Sequence, residues 1–203
     1  MPAMETPGPV PIESRALGTL SYIRSSIDAA GSLAVPGAAG IVMGTIGMIA
    51  SALTSVPALH TQWLGIWLAA AVAAFFTGGM LVVRQATERG RPLIFGPLRK
   101  FLLCLCPALI AGAVLTFIFW QEGLERFIPG TWLLLYGSSV ISASTVTSAS
   151  NMRVIILMGA LFVALGLTAF TLPVASHTLL LGLGFGLLHL IFGLVIGRMN
   201  HGD

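Results

Sequence analysis

Six long apolar stretches divide this chain, at roughly residues 36–59, 63–83, 101–120, 129–147, 154–172 and 179–197, and none contains a Lys, Arg, Asp or Glu. All ten basic and seven acidic residues fall at the ends of the chain or between the stretches. About 20 apolar residues in a helix cross the ~30 Å hydrocarbon layer of a bilayer. The pattern therefore predicts an all-α membrane protein, a six-transmembrane helix bundle over residues 36–197. Ahead of it, residues 12–30 repeat apolar positions at helical spacing (Leu20, Ile23, Ile27, Ala30) among Arg15, Ser21, Arg24, Ser25 and Asp28. This stretch is too polar to span and predicts a cytoplasmic amphipathic helix in the membrane interface. Residues 1–11 lack the basic start and immediate apolar core of a signal peptide, and are expected to be a disordered tail. Residues 198–203 are expected to form a short C-terminal tail.

Within the spans the punctuation is glycine, proline and hydroxyl. Pro36 suits the first turn of span one. Gly40, Gly44, Gly47 and Ser51 give that span a continuous small face, with a GxxxG at Gly40 and Gly44. Span six carries Gly182, Gly184, Gly186, Gly193 and Gly197, with a second GxxxG. Small faces let helix backbones approach closely in lipid, within one chain or between copies. Pro107 is expected to kink span three. The second half of span four, SSVISASTVTSAS, is dense in hydroxyls. Gly90, Pro92, Gly96 and Pro97 preclude a continuous helix from Arg84 to Lys100.

Charge sets the orientation. With the N-terminus inside, nine of the ten basic residues are cytoplasmic and only Arg126 is outside. That bias places both termini in the cytoplasm, and Trp63, Trp120 and Trp132 at the outer interface as an aromatic belt. Charged residues make up 8% of the chain, against about 25% in soluble proteins, which excludes a water-soluble domain. The basic excess is explained by the anionic cytoplasmic leaflet, not by nucleic acid. The expected partners are the lipid bilayer and a protein partner, or a second copy, at the glycine faces.

Candidate chemistry is sparse. His189 is the one ionisable group deep in a span, on the face expected to carry Gly182, Gly186, Gly193 and Gly197. Intramembrane ionisable groups mark functional sites or structural hydrogen bonds. A neutral imidazole bonded to another span is expected, with span four the best supplier of hydroxyls. Ser142 and Thr145 represent a polar path along span four, against the simpler reading that they bond their own carbonyls. His60 and His177, at the outer ends of spans one and six, are candidate ligands if those spans are neighbours. Metal sites use more ligands than two, and His189 lies about 18 Å along the helix from His177, which disfavours a haem held by two facing histidines. Cys104 and Cys106 are two apart, point to different sides of a helix and do not form a CxxC. Glu122, Glu125 and Arg126 read as a solvated loop. No catalytic, metal or nucleotide motif is present, so no enzyme and no cofactor is expected.

PGTWLLLYG at residues 129–137, GFGLLHLIFGLVIGR at 184–198 and GPLRK at 96–100 resemble a group of small bacterial six-span integral membrane proteins. The resemblance implies a location in the inner (cytoplasmic) membrane, and brings no activity or catalytic residue with it. The leading functional expectation is a non-catalytic membrane protein: a packing scaffold, or a regulatory or partner-binding subunit. The alternative is a small-solute carrier or channel using span four and His189. The third is a haem- or metal-binding membrane protein.

Overall fold

A computed structural model describes residues 19–20, 33, 35–88 and 96–201. The chain divides into a unit Met1–Ser32 and a unit Leu33–Asp203. In the first, only residues 19–20 are described, as helical. The expected tail at 1–11 and the remainder of the expected interfacial helix at 12–30 lie outside the described residues.

The second unit is an all-α membrane bundle. Its helices are α1 (Gly37–Thr54), α2 (Trp63–Glu88), α3 (Pro97–Gln121), α4 (Ile128–Ser144), α5 (Ala149–Thr171) and α6 (residues 177–201). Five stretches are long and apolar enough to cross a membrane: Gly37–Thr54, Pro57–Glu88, Pro97–Gln121, Asn151–Thr171 and Val174–Asn200. The 17-residue α4 reaches only about 25 Å. It is the span whose length the hydropathy pattern overstates, because its expected tail forms a turn at Thr145–Val146. Exposure runs opposite to a soluble protein: Met80, Phe76 and Ile110 are each more than 60% exposed, whereas α4 buries Gly130, Gly137, Ser139, Ala143 and Ser144. Large apolar side chains on the outside and small residues inside suit a lipid solvent, which gives apolar side chains no reason to turn inward.

Several ends differ from the hydropathy pattern. Span one was expected to reach Leu59, but α1 stops at Thr54 and residues Pro57–Gln62 form a 3₁₀ turn. Pro57 lacks the amide a continuing helix needs and forces Val56 into an extended conformation (ψ 124°). Conversely, α2 continues past Val83 to Glu88, with an exposed Arg84–Glu88 ion pair of 2.8 Å along its last turn. Helix α3 begins at Pro97, which fits a first helical position, and runs unbroken through Pro107. Its far end closes by a Schellman motif: Gly123 (φ 66°) permits Leu124 N–H to reach the Phe119 carbonyl at 2.7 Å. The expected tail from Arg198 is helical as far as His201.

Two antiparallel glycine seams hold the bundle. Helix α1 packs on α6 and α2, and α4 packs on α5 and α3. In the first seam a Cβ at Gly193 would lie 2.7 Å from Ile41 N, and one at Gly44 would lie 2.7 Å from Leu190 N. The glycine faces expected to serve a partner or second copy are thus filled within the chain. In the second seam a Cβ at Gly137 would lie 2.7 Å from the Gly159 carbonyl. Two polar links fix the end where α1 begins. Leu33 N–H donates to Val146 O at 2.8 Å, and the Asn200 amide donates to Val35 O at 3.0 Å while accepting from Asn151 at 3.2 Å.

Candidate intramembrane binding site

Helices α2 and α3 follow one another in sequence, yet they share no substantial packing. The space between them is an apolar cavity of about 360 Å³, closed behind by α1, α4 and α6. Small residues make the room: Ala70, Ala74, Ala108 and Gly112 line it, flanked by the larger Phe75 and Leu109. It sits in the half of the bundle nearer the α1–α2 and α3–α4 turns, where Trp67, Trp132 and Tyr136 also line it.

His189, in the same lining, is 3% exposed and sits in an aromatic cage. The Tyr136 and Phe162 ring centroids each lie 5.3 Å from its ring, and Phe185 stacks on it at 6.2 Å and 17°. Tyr136 touches Phe162 and Phe185 at 4.9 and 5.2 Å. Phe162 is fully buried, and it fits because Gly184 has no side chain: a Cβ there would lie 3.1 Å from the Phe162 ring. Residues Gly182–Leu188 wind as a π-helix inside α6. Such stretches are rare and accompany functional sites. The His189 ring meets Tyr136 of α4 and Phe162 of α5, while Gly186 and Gly193 face α1, which corrects the expectation of one shared face.

The polar atoms of the lining form two closed chains. His189 Nδ1 lies 3.4 Å from the Gly184 carbonyl, and Nε2 lies 2.7 Å from the Tyr136 hydroxyl. A carbonyl only accepts, so Nδ1 carries the proton, Nε2 accepts, and Tyr136 donates. In the second chain Trp132 Nε1–H donates to Thr116 Oγ1 at 2.7 Å, and the Thr116 hydroxyl donates to Gly112 O at 2.6 Å. Trp132 thereby links α4 to α3. Trp67 Nε1–H is buried with no hydrogen-bond partner.

Of the candidate functional residues His189, Ser142, Thr145, His60 and His177, only His189 lines this cavity. Its bond to span four is as expected, but the hydroxyl is Tyr136, not a serine or threonine. Ser142 and Thr145 are exposed and bond the carbonyls of Ser138 and Ser142; they lie outside the lining. His60 is exposed on the 3₁₀ turn. His177 is buried and donates through Nε2 to Ala169 O at 3.1 Å. Among the described residues no group of three or more His, Cys, Asp or Glu side chains is placed to hold a metal ion. Cys104 and Cys106 are free thiols, half-buried in α3. Sequence reading missed Tyr136, Trp132, Thr116 and the π-helical stretch. The one advance signal for the last was three glycines at alternate positions just before His189.

Comparison with protein-family models, with curated proteins and with solved structures gives no match, so the reading of this site rests on its own geometry.

Proposed function

We propose that this is a non-catalytic integral membrane protein that holds one apolar molecule from the bilayer between α2 and α3. The observation that carries the reading is the cavity itself: about 360 Å³, within the range of small-molecule sites. It is lined mainly by alanine, leucine and aromatic side chains, with no Lys, Arg, Asp or Glu among them. The polar groups around His189 and Thr116 are paired with each other, an arrangement that suits holding a ligand more than passing ions or water. The nine-to-one distribution of basic residues supports an orientation with the α1 start and α6 end in the cytoplasm.

The test is extraction of the protein, purified in mild detergent, followed by quantification of bound apolar molecules by mass spectrometry. Wild type is expected to retain one species near stoichiometric amount. Ala108→Trp, which fills the cavity, is expected to lose it while keeping its melting temperature within a few degrees. Equal lipid content in both proteins would defeat the reading.

A further inference from the structure

We infer that the occupant is a neutral apolar molecule ending in a hydroxyl, and that this hydroxyl donates a hydrogen bond to Tyr136 Oη. The inference rests on the cavity being a binding site and adds what it selects. Gly184 O takes the proton of His189 Nδ1, leaving Nε2 to accept the Tyr136 hydroxyl proton at 2.7 Å. Tyr136 Oη then has lone pairs and no proton to offer. Thr116 is in the same state, its proton on Gly112 O and one lone pair taken by Trp132. Tyr136 and His189 both line the cavity, and the tyrosine is the more exposed of the two. The one unpaired donor in the lining, Trp67 Nε1–H, is covered and presents no surface to the cavity. An occupant therefore meets acceptors.

An alcohol satisfies them. A ketone, quinone or ether sets oxygen against oxygen, or draws the tyrosine proton away and strands His189 Nε2. A charged headgroup has no counter-charge among the lining residues, and burial without one is costly. The selected class is a single-chain or small-ring lipid alcohol.

The test uses full-length protein in nanodiscs and three brominated probes on one carbon skeleton: a long-chain alcohol, its methyl ether and the matching ketone. Bromine quenches the fluorescence of Trp67 and Trp132 on contact. The alcohol is expected to saturate at roughly three- to tenfold lower concentration than the others, the size of one hydrogen bond. Tyr136→Phe is expected to remove that preference, and Ala108→Phe, which fills the cavity without adding an indole, to remove saturable quenching by all three. Equal saturation by the three probes, abolished by Ala108→Phe, would overturn the hydroxyl inference and leave the cavity as a binding site. Tighter binding of the ketone would overturn it likewise. Absence of saturable quenching, or quenching indifferent to Ala108→Phe, would overturn both. The comparison among probes on wild type stands whether or not Tyr136→Phe folds.

Discussion

At the scale of single residues the account turns on His189 and Tyr136. The sequence singles out His189 because it alone is ionisable deep inside a span, and it directs the ring towards span four because hydroxyls concentrate there. The partner is nevertheless the one tyrosine of that span, since only its length crosses from α4 to α6; Ser142 and Thr145 fold back on their own helix. Local hydroxyl bonding is invisible in a count of hydroxyls. His189→Leu strands the Tyr136 hydroxyl and should destabilise by about 1–3 kcal/mol, whereas His189→Gln keeps an acceptor and should be milder. Tyr136→Phe combined with His189→Leu removes both partners and should cost less than the sum of the single changes. Thermal unfolding in detergent measures all four proteins, and additive losses would mean that the 2.7 Å contact contributes nothing.

At the scale of elements, helix existence was legible and helix ends were not. Hydropathy marks where lipid contact begins, but Pro57, Pro97 and Gly123 decide where the backbone turns. The α1–α6 seam was written in the two GxxxG motifs. The α4–α5 seam was equally present, as glycines seven apart at Gly130 and Gly137 and again at Gly159 and Gly166, a spacing that returns to one helix face after two turns. Gly193→Ala and Gly137→Ala place a Cβ within 3 Å of opposing backbone, and each should cost about 1–3 kcal/mol. Gly65→Ala meets nothing within 4 Å and should be neutral or stabilising through helix propensity. Comparable melting of all three variants would mean that the seams do not set the packing. Asn200→Ala removes the bonds to Val35 and Asn151. Hydrogen exchange is expected to quicken at the start of α1, and unchanged protection there would mean that the link is dispensable.

At the scale of the whole molecule, the membrane class was fully legible: charge absent from six stretches and small residues where backbones must meet. The cavity was not legible, because it arises from α2 and α3 failing to pack on each other, and sequence adjacency suggests the opposite. Orientation is tested in cells with Cys104→Ala and Cys106→Ala as background and a cysteine at Glu88 or Glu122, both exposed. An impermeant maleimide added outside should label position 122 and spare 88, and labelling at 88 would reverse the orientation. The central claim, that a lipid-phase molecule sits between α2 and α3, is met most directly by photolabelling in nanodiscs with a diazirine-bearing long-chain alcohol and mapping the modified peptides. The account predicts labelling concentrated on residues 67–76 and 105–116 and suppressed by excess unlabelled alcohol. Labelling spread over the outward faces of Phe117, Leu157 and Leu167, indifferent to competitor, would contradict it.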